Sequence, residues 1–270
     1  MPACGTSCSG ATSVTGTGGR FTGATTGGSS YAGSCGGGSA PERIYTFTLS
    51  AASDVFITTH GSGFNTVLYL RSCNCTGPEV ACNDDADGYN TSVLRATNLA
   101  AGTYTLFVDG AGTASGSFTM DIYIDPTGGV NGDRCSRPVF WPATTATQTG
   151  NTCALNNDVT GVGCEYVGSG TAQDAIYYVV IPATRTVTFS ACSTGCTDYD
   201  SSLSIRSVCN ATATITCRDD GCRSGCAPGG MSRQSSISAS LAPGIYYFAA
   251  DGYAPSAIQC GNYSIAQTGL

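Results

Sequence analysis

Four short segments in the first half of the chain recur, in the same order, in the second half. The offset between matching segments grows only from 132 to 142 residues, so the copies differ by small insertions. A repeat of this kind predicts two copies of one structural unit. The matching segments are residues 41–47 and 173–179, 64–72 and 199–207, 82–85 and 217–220, and 99–110 and 241–252.

The seam between the copies is predicted at Asp125–Gly129, a short run that contains one proline and two glycines. We therefore expect domain 1 at residues 1–126 and domain 2 at residues 131–270. The 16 cysteines divide into six and ten between the copies. Both numbers are even, so each domain is expected to close its own disulfides.

The cysteines also indicate the compartment. Their close pairs are spaced CxxxC or CxC, which is neither the zinc nor the redox CxxC pattern, so we expect structural disulfides. Disulfides persist in oxidising compartments, and an extracellular or cell-surface location follows. Residues 1–4 lack the charged start of a signal peptide, and no apolar run approaches the ~20 residues of a membrane span. We expect a mature or excised fragment without a membrane span.

The pattern inside each copy is that of a β protein. Short runs rich in Val, Ile, Tyr, Phe and Thr alternate with Gly, Ser and Asn clusters, and no stretch shows helical periodicity. Two antiparallel sheets packed face to face are expected in each copy. Gly102 is expected at the positive-φ position of a turn that leads into a central strand. The predicted strands are 43–49, 54–59, 66–71, 102–108 and 116–124, then 175–181, 185–189, 202–206, 235–239, 244–249 and 262–266.

Charge and composition narrow the function. The chain has no lysine, one histidine and a net charge of −7. A nucleic-acid-binding protein needs a basic face, so nucleic acid is not an expected partner. Most acid–base chemistry near neutral pH lacks its usual groups here, and we expect a protein that is not an enzyme.

Five quoted segments carry a family resemblance. They are APERIYTFTLSAASDVFITT from residue 40, FNTVLYLRS from 64, ACNDD from 81, LAAGTYTLFVDG from 99 and GSFTMDI from 116. Their ordered set resembles the bacterial pre-peptidase C-terminal domain, in the Cys-rich form of secreted bacterial proteins. The first copy matches over residues 41–124, and residues 173–266 are similar to a diverged copy.

The resemblance implies a jelly-roll-like β-sandwich and a non-catalytic role. Members of the family flank secreted proteases and other hydrolases, related modules bind collagen or polysaccharide, and some carry a structural calcium. This chain departs from the pattern because it has no catalytic domain, has long N-terminal segments and has extra cysteines in its second copy.

The few acidic residues cluster at corresponding strand ends of the two copies. Calcium takes six to eight oxygen ligands, and a sandwich is able to bring such strand ends to one rim. We hypothesise one structural calcium per domain; the alternative is that these side chains only cap turns. The predicted ligands are Glu42, Asn65, Asp84 and Asp85 in domain 1 and Asp174, Asp200, Asp219 and Asp220 in domain 2.

Other candidates are weaker. Asn83–Gly88 matches half of an EF-hand loop, but Leu94 stands where that loop needs Glu. His60 is expected to be an exposed loop imidazole, and Asp84 and Asp85 are neighbours that cannot oppose each other as a catalytic pair. Trp141 is expected in core or interdomain packing. Tyrosines at loops and strand ends are candidate polymer contacts or core residues: Tyr69, Tyr89, Tyr123, Tyr166, Tyr199 and Tyr253.

Short-range logic suggests several disulfides. The expected pairs are Cys8–Cys35, Cys73 or Cys75 with Cys82, Cys135–Cys164, Cys192–Cys196, Cys209–Cys217 and Cys222–Cys226.

Three functions remain open from the sequence. The first is a secreted, non-catalytic tandem module that binds an extracellular polysaccharide or protein. The second is a self-assembling structural, adhesin or filament subunit, whose partners would be copies of itself. The third is an accessory fragment of a secreted hydrolase.

Overall fold

The structure is a computed structural model and describes residues 8–159, 172–192, 197–211, 213–224, 232–253 and 260–270. The chain divides into two compact units, unit 1 (Met1–Gly128) and unit 2 (Gly129–Leu270). The described part contains strands and turns but no helix. Accordingly, it offers no helical segment with the length and apolarity needed to cross a bilayer.

The described residues of unit 1 form nine strands in two sheets, in the orders β1-β3-β8-β5-β6 and β2-β9-β4-β7. The strands are β1 (Thr12–Ser13), β2 (Gly18–Ala24), β3 (Arg43–Leu49), β4 (Ser53–Thr58), β5 (Thr66–Ser72), β6 (Glu79–Asn83), β7 (Val93–Leu99), β8 (Gly102–Gly110) and β9 (Ser117–Pro126).

Unit 2 repeats this arrangement in the orders β10-β12-β19-β14-β15 and β11-β20-β13-β18, with an added hairpin, β16-β17. Its strands are β10 (Val139–Phe140), β11 (Thr147–Asn151), β12 (Ala175–Ile181), β13 (Arg185–Ser190), β14 (Ser201–Arg206), β15 (Thr216–Arg218), β16 (Cys222–Ser224), β17 (Ser232–Gln234), β18 (Ser236–Leu241), β19 (Gly244–Gly252) and β20 (Asn262–Thr268).

The predicted fold class is confirmed: the chain is all-β, with two tandem β-sandwiches that each contain their own disulfides. Alternate residues of both sheets in each unit meet in one core, as for Leu68 and Leu106 against Ile57 and Ile122 in unit 1. All pairings are antiparallel except those of the two-residue edge strands β1 and β10, which lie parallel to β3 and β12. The expected turn glycine is also confirmed, because Gly102 has a φ of +153°.

Trp141 lies in the core of unit 2. Only 1% of its surface is exposed, and its ring centroid lies 5.1–5.7 Å from those of Tyr177, Phe189 and Phe248. The core alternative for this residue is therefore confirmed, and the side chain is a natural fluorescent reporter of unit 2.

The expected disulfide pairs are wrong. Instead of bridging near neighbours, the cysteines connect N-terminal segments and loops to distant strand ends: Cys8–Cys75, Cys35–Cys82, Cys135–Cys209, Cys153–Cys260 and Cys192–Cys222. Cys73 and Cys217 are also disulfide-bonded. Cys164, Cys196 and Cys226 lie outside the described residues.

The pairing follows from the path of the N-terminal segments. In each unit a cysteine four residues before the parallel edge strand is bonded to one that follows the end of β5 or β14. Pairing cysteines that are close in sequence gave the wrong disulfides because the edge strands β1 and β10 were not predicted. The segments that precede these strands place Cys8 and Cys135 near the ends of β5 and β14. Each unit has its own copy of this disulfide, so the repeat extends to the N-terminal segments of both units.

Candidate metal centre

Three of the predicted ligands of unit 2 come together at one sheet edge. Asp200 directly precedes β14, and Asp219 and Asp220 directly follow β15. Because Leu203 pairs with Arg218 across these antiparallel strands, the start of β14 lies beside the end of β15. One carboxylate oxygen from each residue lies within 4.8 Å of the others. Within the described residues, no other three acidic, His or Cys side chains approach one another so closely.

The electrostatics of this cluster favour a cation. Burial, with the nearby charge of Asp220, raises the pKa of Asp200 to about 6, although Arg233 opposes the shift. The Asp200 Oδ1 atom is buried and accepts no hydrogen bond. A buried carboxylate oxygen without a donor is costly, and a bound cation would relieve that cost.

Unit 1 places its counterparts in the same way. Asn65 directly precedes β5 and Asp84 directly follows β6, and Leu68 pairs with Asn83 between those strands. The Oδ1 atoms of Asn65 and Asp84 are both buried without a donor. Burial first, and then the charge of Asp85, raises the pKa of Asp84. The same unsatisfied oxygens therefore occur at equivalent positions in both units.

A buried serine fixes the backbone at Asp84. Ser92 Oγ lies 2.6 Å from the carbonyl oxygens of both Thr66 and Asp84, and Ser92 has no exposed surface. In unit 2, Ser235 Oγ donates to the carbonyl of Ser201, the counterpart of Thr66. In unit 1 this hydroxyl, on the residue directly before β7, thus contacts both β5 and the loop that carries Asp84.

The remaining predicted ligands, Glu42 and Asp174, directly precede β3 and β12 and approach different partners. In unit 2, Ala175 pairs with Ala250, so Asp174 and Asp251 are the next residues along two antiparallel neighbours and face each other. The register of Arg43 with Val108 places Glu42 opposite Asp109 in the same way. The predicted ligands therefore belong to two groups of acids, which lie at the same end of the sheet.

Asp174 is a fully buried acid. It has no exposed surface, its Oδ2 accepts the backbone N–H groups of Asp158 and Val159, and its Oδ1 accepts no hydrogen bond. Burial raises the pKa of Asp174 to about 7, despite those two donors. Burial and the charge of Asp174 together raise the pKa of Asp251, and burial lowers the pKa of the nearby Arg206.

Asp109 and Asp251 were missed as candidate ligands. Each is the second-to-last residue of a central strand. Asp109 has no exposed surface and accepts hydrogen bonds from Tyr69 (3.2 Å) and from the N–H of Gly110 (2.7 Å). Burial raises the pKa of Asp109. The signal was available, because an Asp–Gly pair recurs at the end of the fourth repeated segment in both copies.

A glycine loop closes over the acids of unit 1. A Cβ atom on Gly36 would lie 3.8 Å from Asp84 Oδ2, and one on Gly37 would lie 2.3 Å from Asp109 Oδ2. Gly37 also has a φ of +83°, which other residues rarely adopt. The Cys35–Cys82 disulfide holds this loop against the sheet. Glycine here lets the backbone approach both carboxylates.

His60 is not an exposed imidazole, so that expectation is wrong. It is fully buried, with Nε2 3.1 Å from Asp87 Oδ2 and Nδ1 2.6 Å from Thr91 Oγ1. Asp87 and Gly88 both have positive φ, and Ala86 and Tyr89 form a bridge, so residues 86–89 form a type I′ turn. The half EF-hand motif is therefore a turn whose Asp87 faces His60.

The candidate tyrosines are mostly core residues. Tyr69, Tyr123 and Tyr199 are each at most 1% exposed, which removes them as polymer contacts. Tyr89 and Tyr253 are half-buried, and Tyr166 lies outside the described residues. The sequence could not separate these cases because a strand-end tyrosine looks the same whichever face it occupies.

The comparisons with known proteins bear on the first unit. Residues 41–110 match the family model described as the bacterial pre-peptidase C-terminal domain. The chain is 18% identical to the solved pre-peptidase C-terminal domain of a collagenase from Bacillus anthracis, covering 42% of this chain and 93% of that one, with a TM-score of 0.31.

Two further solved structures are CUB1-EGF-CUB2 domains. Rat MASP-1 is 8% identical, with 95% of this chain and 99% of that chain covered and a TM-score of 0.27. Human MASP-1/3 is 6% identical, with 92% and 99% covered and a TM-score of 0.22. No curated protein sequence matches the chain. Residues 41–110 of unit 1 thus resemble the bacterial pre-peptidase C-terminal domain, and the chain carries a second β-sandwich-like region.

Proposed function

We propose that this chain is a secreted, non-catalytic accessory module that binds an extracellular polymer and uses one structural calcium in each unit. The observation that carries the metal part is the recurrence of buried oxygens without donors at equivalent positions. These oxygens belong to Asn65 and Asp84 in unit 1 and to Asp200 in unit 2. Turn capping does not explain these oxygens, because a capping oxygen accepts a hydrogen bond from a backbone N–H group.

The chemistry of the donors favours calcium over zinc. Every candidate ligand offers an amide or carboxylate oxygen, the donor type preferred by hard cations. The ligand sets would be Asn65, Asp84 and Asp85 in unit 1 and Asp200, Asp219 and Asp220 in unit 2. The second group of acids, Glu42 and Asp109 or Asp174 and Asp251, lies at the same end of the sheet. Bound calcium would supply positive charge that holds the strand ends and loops together.

Two observations support a non-catalytic role. The single histidine is buried between Asp87 and Thr91, where it has no access to a substrate. The acids with raised pKa values face strand neighbours and a glycine loop, an arrangement suited to holding an ion. Disulfides in both units and a bacterial pre-peptidase C-terminal domain suit an extracellular protein.

Polymer binding is the functional part of the proposal. The family resemblance implies collagen or polysaccharide as the ligand class. The experiment incubates the full chain with insoluble collagen and with insoluble polysaccharides, and measures the fraction retained with calcium or with a chelator. The Asp84→Asn variant, which removes one ligand charge in unit 1, is the matched comparison for metal dependence.

Retention on one polymer class, lower in the chelator, is the expected result. A chain retained by no polymer would overturn the binding part. If the chain instead forms regular fibres in negative-stain images, the structural-subunit alternative replaces it. Activity on a polymer in the same samples would overturn the non-catalytic role.

A further inference from the structure

The acidic rim of unit 2 carries a resident positive charge that the rim of unit 1 lacks among its described contacts. Arg233 Nη1 lies 3.2 Å from Asp220 Oδ2, and the two side chains are 55% and 54% exposed. Arg233 also lies within electrostatic reach of Asp200. The guanidinium is therefore placed beside two of the three carboxylates that form the cluster.

The β16–β17 hairpin, which has no counterpart among the described strands of unit 1, positions Arg233. The next residue, Gln234, is fully buried and donates from its side chain to the carbonyl of Thr197 (2.7 Å). Gly221 donates to the Gln234 carbonyl, and Cys222 of the paired strand is disulfide-bonded to Cys192. These contacts fix the backbone beneath Arg233, so the side chain extends from an anchored position.

We propose that Arg233 acts as a built-in counter-ion that competes with the cation at the rim of unit 2, so that unit 2 binds calcium more weakly than unit 1. This inference rests on the proposed calcium function and assigns an affinity-determining residue to one of its two sites. A divalent ion and a guanidinium repel each other, and both require the Asp220 carboxylate. The ion pair is half-exposed and weak, so calcium is able to displace it at a cost in affinity.

The test is a calcium titration of the full, chelator-stripped chain by isothermal calorimetry, comparing wild type with Arg233→Gln. Trp141 fluorescence, which reports unit 2, gives the melting temperature of that unit with and without calcium. Arg185→Gln is the matched control, because it removes the same charge from β13 of unit 2, outside the acidic cluster.

The expected result is an affinity of the weaker site that rises about tenfold in Arg233→Gln, with a larger calcium-induced shift of the Trp141 transition. Arg185→Gln should bind like wild type. If wild type binds calcium and Arg233→Gln binds it equally well, Arg233 does not compete and only the inference fails. If neither protein binds calcium, the calcium part of the proposed function fails with the inference.

Discussion

Asp174 occupies an unfavourable position for a carboxylate. Its carboxyl group has no contact with water, yet only one of its two oxygens receives hydrogen bonds. Burial therefore raises the pKa of Asp174 to about 7, against a usual value near 4. Without a cation, the folded state holds this group protonated over a range of pH in which the unfolded chain releases the proton.

This difference predicts a pH dependence of stability in the calcium-free protein. Below about pH 4 the carboxyl is protonated in both states, so its titration does not lower the free energy of unfolding. As the pH rises towards 7, only the unfolded state ionises, and the free energy of unfolding falls, by up to about 4 kcal/mol. Denaturant titrations at pH 4 to 7, followed through Trp141 fluorescence, measure the slope.

The Asp174→Asn variant should flatten that slope, because its side chain does not titrate. Part of the slope should survive, since burial also raises the pKa of Asp251. Glu42→Gln, the matching change in unit 1, should leave the Trp141 transition as it was. An unchanged slope in Asp174→Asn would show that another group causes the dependence.

Single residues also mark where sequence reasoning stopped. His60 was expected in solvent because its neighbours are Thr, Gly and Ser, which are typical of a loop. Its burial depends on the type I′ turn at residues 86–89, which folds Asp87 onto the imidazole from 27 residues away. Long-range contacts of this kind leave no local pattern.

At the scale of strands, most of the apolar segments were predicted, whereas β7 with its buried Val93, Leu94 and Leu99 and the polar edge strands were missed. β3, β5 and β8 carry buried residues that alternate or run continuously, and each was predicted. β2 and β11 have the sequences GGRFTGA and TQTGN and are half-exposed, so neither shows an apolar face. Their order comes from pairing with β9 and β20.

One such edge is held by an ion pair. Arg20 of β2 contacts Asp121 of β9 with two hydrogen bonds, of 2.7 and 2.8 Å, and Asp121 has no exposed surface. Arg20→Ala leaves that carboxylate without its bidentate partner, and we expect a loss of about 3 kcal/mol in the stability of unit 1.

Denaturant unfolding measures the loss of stability, and hydrogen exchange of residues 18–24 measures the loss of protection in β2. Faster exchange throughout β2 is expected in Arg20→Ala. Thr22→Ala, a change at an exposed position of the same strand, should stay within about 0.5 kcal/mol of wild type. Equal stability of Arg20→Ala and Thr22→Ala would contradict the assigned role of the ion pair.

The disulfide that recurs in both units gives a matched pair of variants. Removing Cys135–Cys209 by serine substitution should lower the stability of unit 2, as reported by Trp141, by about 2–5 kcal/mol. Removing the equivalent Cys8–Cys75 bridge should act on unit 1 and leave that signal almost unchanged. A Trp141 transition that shifts equally in both variants would contradict bridges confined to their own units.

For the whole molecule, the repeat predicted more than any local pattern. Nine strands of unit 1 correspond one to one with strands of unit 2 in the same sheet order. The repeated segments also led to Asp84 and Asp200, whose unsatisfied oxygens now support the metal proposal. The repeat could not show that Asp174 faces Asp251, because that pairing depends on strand register.

The most direct test of the two-site account is the number of calcium ions that the chelator-stripped chain binds in isothermal titration calorimetry. We predict two ions per chain, with one site lost in Asp84→Asn and the other in Asp200→Asn. Calcium should also raise the melting temperature of the wild type. The absence of both binding heat and a shift in melting temperature would contradict the account.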